Sequence, residues 1–107
     1  MSRRSGTPGQ ESERDFANTV VETAELLGWL VKRDPAWRPT AATPGFPDLV
    51  LCNGRKLIFA ELKAKGGKLT REQKQWLGWL RAAGADAREW RPADWPEIEA
   101  TLKGERI

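Results

Sequence analysis

The chain has 107 residues, 39% hydrophobic and 31% charged, with a formal net charge of +3. Those values fit one folded domain with a modest core, and exclude both a disordered chain and a membrane span of ~20 apolar residues. There is no histidine and a single cysteine, Cys52, which excludes Ser-His-Asp and Cys-His catalysis, histidine-based or multi-cysteine zinc sites and an internal disulfide framework. Any chemistry must come from carboxylates and lysine, with or without a hard metal ion. The basic start, Met1 to Gly6, has no apolar stretch behind it and so is not a secretory signal. The expected location is therefore intracellular.

Residues 1–10 read as a loose tail, and 11–107 as a single domain. Ser12 to Gly28 reads as a helix, with Ser12 as N-cap and Phe16, Ala17, Val20, Ala24 and Leu27 recurring at helical spacing. Trp29 to Lys32 reads as a short strand and Asp34 to Gly45 as an irregular Pro-rich loop carrying Trp37. Leu49 to Cys52 and Lys56 to Lys63 are strand-like, joined by Asn53-Gly54, a strong two-residue hairpin signal. A second helix runs from Thr70 to about Ala83, a strand from Asp86 to Arg91, and a closing helix from Ala93 to Lys103. The order α-β-β-β-α-β-α predicts an α/β fold, a mixed sheet with a central hairpin flanked by helices.

A two-residue turn at Asn53-Gly54 pairs Cys52 with Arg55 and Asp48 with Phe59. Glu61 then becomes the diagonal neighbour of Asp48 on the same face, with Lys63 on that face too. The bland alternative is a solvated polar hairpin end. Against it, Leu57-Ile58-Phe59-Ala60 runs directly into Glu61, so the charges begin where the core ends. Paired carboxylates suit a divalent cation with oxygen ligands, and a neighbouring lysine can hold a water or meet developing negative charge.

At about 100° per residue, Glu13 falls on the apolar stripe of the first helix, whereas Glu22 and Glu25 fall on the solvent side. Glu13 thus either pairs with something at the site or simply favours the helix dipole from a wet first turn. Thr70-Arg71-Glu72-Gln73 fits a capping box, yet Gln73 shares the face of Trp76, Leu77 and Leu80 and could instead point toward the acidic cluster. Lys63, Lys65, Lys68, Arg71 and Lys74 fall within twelve residues, broken by Gly66-Gly67. Such a stretch is either a solvated basic loop or a surface that grips phosphates. Trp79 is expected at the edge of the second helix's buried face, and Trp37 is the ring free to stack on a base or partner.

Pro47-Asp48, a gap of twelve residues and then Glu61-Leu62-Lys63 resembles the PD-(D/E)xK nuclease superfamily. Gly45-Phe46-Pro47-Asp48-Leu49, Phe59-Ala60-Glu61-Leu62-Lys63, Gly67-Lys68-Leu69-Thr70, Gln73, Trp76-Leu77, Ala82-Ala83-Gly84 and Trp90-Arg91-Pro92 look like its VRR-NUC branch, the virus-type replication-repair nuclease domain. The resemblance implies a restriction-endonuclease-like fold and Mg²⁺- or Mn²⁺-dependent cleavage of DNA, often at branches. It implies Asp48, Glu61, Glu13 and the Leu62 carbonyl as metal ligands, Lys63 as catalytic lysine and Gln73 as a further site residue. DNA contacts are expected from Lys65, Lys68, Arg71 and Lys74, and a homodimer is expected for cutting both strands. The rival readings are a nucleic-acid-binding module of the same fold without catalysis, and a protein-interaction domain built on Trp37 and the Pro-rich loop.

Overall fold

The computed structural model describes residues 12–33 and 44–104. The tail, most of the Pro-rich loop and Trp37 lie outside the described residues, as do the readings placed on them. Helix α1, Glu13–Leu26, starts where the Ser12 side chain accepts the Asp15 N–H at 3.0 Å. Phe16, Ala17, Val20 and Ala24 form its buried stripe. Leu27 was expected to extend that stripe, but it sits past the helix end and is exposed.

Strand β1, Leu30–Arg33, pairs antiparallel with β2, Leu49–Cys52, which pairs antiparallel with β3, Leu57–Leu62. Helix α2, Arg71–Ala82, then carries the chain over to β4, Asp86–Trp90, which lies parallel to β3. A parallel neighbour requires such a crossover. A 3-10 turn, Pro92–Asp94, leads into α3, Trp95–Lys103, so the closing helix starts two residues later than its sequence pattern suggested. The sheet order is β1-β2-β3-β4, with the β2–β3 hairpin central.

Ile58, Ala60 and Leu62 of β3 point to one face of the sheet, where they join Phe16, Val20, Ala24, Leu49, Leu51, Trp90, Ile98 and Leu102 in the core. That face is covered by α1 and α3. On the opposite face Phe46 sets its ring edge-on to Phe59 and to Trp76, at centroid distances of 6.1 and 4.9 Å, which seats α2 there. Trp29 ties α1's exit to α3 through a 2.9 Å bond from its Nε1 to the Leu102 carbonyl. Trp79 departs from expectation: it is 72% exposed, because α2 turns it away from the sheet.

The hairpin register is shifted by two residues from the one a two-residue turn predicts. Cys52 pairs with Leu57 and Leu49 with Ala60. The cause is Asn53, whose side-chain oxygen accepts the N–H groups of both Arg55 and Lys56, at 2.8 and 2.7 Å. This Asx turn consumes four residues, Asn53 to Lys56, where a type I′ turn would consume two. A slip of two keeps every side chain on its own face, whereas a slip of one would have reversed them all. The face assignment of Asp48, Glu61 and Lys63 therefore stands, and the register now sets Asp48 directly across from Glu61.

Candidate active site

The site lies at the end of the sheet where β2 begins and β3 ends. Its first element is the approach to β2. Gly45 has φ +88°, and a Cβ there would lie 2.5 Å from the Glu72 carbonyl carbon and 2.7 Å from the Gln73 nitrogen. Only glycine lets this loop lie against the first turn of α2. Phe46 then wedges between Phe59 and Trp76, Pro47 is fully buried, and Asp48 emerges at the sheet end. Asp48 Oδ2 accepts the Leu62 N–H at 2.9 Å, beyond the last paired residue of β2. A strand residue's N–H and C=O share one edge, so the Leu62 carbonyl leaves β3 on Asp48's side.

Glu61 is the unusual residue. It is 1% exposed, and neither carboxylate oxygen meets a hydrogen-bond donor among the described residues. A carboxylate buried without donors is costly unless it is protonated or a cation satisfies it. Its pKa is raised from the usual 4.5 to about 9, and burial is the largest cause. Asp48 beside it adds to the rise, both as a charge and as an acceptor for the Glu61 proton; Lys63 opposes it and Glu13 adds a smaller push.

Glu13, in the first turn of α1, is half-buried. Burial raises its pKa, Lys63 lowers it and Asp48 raises it. Its charge is therefore felt at the site, which favours the pairing alternative over a purely solvated first turn. No group of three Asp, Glu, His or Cys side chains is close enough to hold a metal among the described residues. Asp48 and Glu61 form the close pair, and Glu13 acts on it from farther away. Glu22 and Glu25 are exposed on the far side of α1.

Lys63 directly follows β3, its N–H bonded to the Trp90 carbonyl at 3.0 Å. Gln73 is engaged in the capping box: its Oε1 accepts the Thr70 N–H at 2.8 Å while its own N–H reaches Thr70 Oγ1 at 3.1 Å. Its amide nitrogen takes no part in that box and remains to offer a ligand. Lys65, Lys68, Arg71 and Lys74 are all exposed, on the turn after Lys63 and the start of α2. From sequence alone Glu89, the register partner of Glu61, carries no assigned role, and Arg91 is marked only as part of Trp90-Arg91-Pro92; the Arg91 Nε and Nη2 donate to Glu89 Oε2 at 2.9 and 2.6 Å. Their signal was an acid and a base two apart on one strand face, flanking a core tryptophan.

The donor set is all oxygen, and among the described residues no hydrogen-bond donor meets the Glu61 oxygens; a hard divalent cation fits both facts. A mixed sheet with α helices on both faces, a carboxylate pair whose Glu61 is buried and a lysine at the strand end define the restriction-endonuclease-like class. The sequence pattern of the VRR-NUC domain matches residues 32–93, and the chain belongs to that family of nucleases. Two solved structures support the fold. A VRR-NUC domain shares 20% identity at a TM-score of 0.66, over 86% of this chain and 96% of that one. A VRR-NUC domain protein shares 18% at 0.60, over 85% and 89%. A looser likeness is to Hjc of Archaeoglobus fulgidus, a Holliday junction resolvase, with 24% identity at 0.45 over 75% and 65%. No curated protein matches the chain. No helix among the described residues is long and apolar enough to cross a membrane.

Proposed function

We propose that the chain is a divalent-metal-dependent DNA endonuclease that hydrolyses phosphodiester bonds, selecting branched, flap or junction DNA during replication, repair or recombination. The observation that carries this reading is Glu61, a buried carboxylate with no donor, set beside Asp48 and Lys63. Asp48, Glu61 and the Leu62 carbonyl would hold Mg²⁺ or Mn²⁺, with Glu13 adding negative charge nearby. When bound, such an ion polarises the scissile phosphate and lowers the pKa of a coordinated water.

In this reading Lys63 orients the attacking water and meets the charge that develops on the phosphate oxygens. Lys65, Lys68, Arg71 and Lys74 grip the flanking backbone, which carries no sequence information. Selection therefore rests on DNA shape. Gln73 contributes chiefly its amide nitrogen, since its oxygen already accepts a hydrogen bond in the helix cap.

The test is a panel of single-stranded, flap, splayed and four-way DNA, each with Mg²⁺, Mn²⁺ or chelator. The expected result is metal-dependent nicking, strongest on a branched substrate, falling by roughly 100-fold or more in Lys63→Ala and Asp48→Ala. Binding without nicking under every condition would instead make the chain a binding module of the same fold. Cutting both strands of a junction takes two active sites, so the functional unit in this reading is a homodimer. Light scattering should give twice the 12.0 kDa chain mass; a monomer fully active on branched DNA would overturn that part.

A further inference from the structure

Lys63 stands one residue beyond the end of β3, and a long side chain there needs something to aim it. The turn that follows supplies a wall. The Gly67 N–H bonds the Ala64 carbonyl at 3.0 Å, folding the chain back, and a Cβ on Gly67 would sit 3.5 Å from Lys63 Cδ. The stem of the lysine therefore lies along the turn. What holds the turn down is Arg91. Its Nη1 donates to the same Ala64 carbonyl at 3.1 Å, while Nε and Nη2 are locked on Glu89 Oε2. Glu89 in turn is the strand partner of Glu61, so this guanidinium bridges the carboxylate strand to the lysine's turn.

We propose that Arg91, oriented by Glu89, is a positioning residue for Lys63. The planar fork matters, because one flat group must reach a carboxylate and a backbone carbonyl together. A lysine keeps the charge but cannot make both contacts in that geometry. The inference rests on the nuclease reading for its catalytic consequence, but its structural content is separable.

The test uses the full chain with Arg91→Lys, Glu89→Gln, Lys63→Ala and the double variant Arg91→Lys/Lys63→Ala. Amide hydrogen exchange should speed up about tenfold at Gly67 and Lys63 in Arg91→Lys, as expected for loss of one hydrogen bond, while Ile58 and Leu62 exchange as in wild type. Single-turnover cleavage by Arg91→Lys should fall about 10- to 100-fold with KM unchanged, since misplacing a reacting group costs rate more than binding. Glu89→Gln should show the same pattern more weakly. In the Lys63→Ala background Arg91→Lys should cost nothing further, because the group it aims is gone.

Wild-type exchange at Lys63 and Gly67 in Arg91→Lys would overturn the proposal, whatever the enzyme does. An equal loss with and without Lys63 would also overturn it, by showing a merely structural role. Absence of cleavage by the wild-type chain would strike the nuclease reading instead, and the exchange data would still decide whether Arg91 holds the turn.

Discussion

Glu61→Gln is expected to raise the melting temperature of the metal-free protein at mildly alkaline pH and to abolish the further rise that Mn²⁺ gives the wild type. An unfolded chain ionises this carboxyl near 4.5, whereas the folded protein holds its proton until about 9. Between those values folding takes up a proton, so stability is fully present below the lower one and is lost as pH rises through the upper one. The total is on the order of a few kcal/mol, because the folded site relaxes around a buried charge. Glutamine cannot ionise, so the variant should show no such slope. Cation binding requires the ionised carboxylate, so Mn²⁺ at a hundredfold excess over its Kd should return about 2.7 kcal/mol to the wild type and nothing to the variant. Thermal melts across the pH range with and without Mn²⁺ read both effects. A variant stabilised by Mn²⁺ as much as wild type would remove Glu61 from the metal site.

Gly45→Ala should be the most disruptive small substitution among the described glycines. The residue sits at φ +88°, where a side chain costs about 1–2 kcal/mol on conformation alone. Its Cβ would also press on helix backbone at 2.5 Å, which cannot rotate aside as a side-chain tip could. The loop and α2 must separate, and Phe46, wedged between Phe59 and Trp76, goes with the loop. We expect a loss of about 3 kcal/mol or more in urea melts. Cleavage should fall beyond what unfolding explains, because Asp48 hangs from the same segment. Gly66→Ala is the control: its φ is +82°, but nothing lies within 4 Å of its Cβ, so it should cost only the conformational part. Equal melts for the two variants would refute the close-packing account.

Much of the fold was legible because it follows from local rules. Ser12 and Thr70 mark their helices by capping, and both caps form. The apolar alternation of β3 assigns its faces correctly even though the hairpin register was misjudged. That error had a specific source. Asn-Gly signals a type I′ turn on average, but the Asn53 side chain outcompeted the backbone by closing a wider turn. The boundaries moved by a residue or two for the same kind of reason, since strand ends depend on the partner. Trp79 was misplaced because a helical wheel finds an apolar face without showing how far the sheet beneath it extends.

The sequence by itself marked out Asp48, Glu61 and Lys63 as a group, since period-two geometry puts them on one face and the absence of histidine leaves carboxylates and lysine for any chemistry there. What only the tertiary structure decided is the state of those groups. Desolvation and the approach of separate elements are not local properties: Glu61 loses its water because the elements packed around it close over that end of β3, and Arg91 reaches Ala64 only because β4 lies parallel to β3.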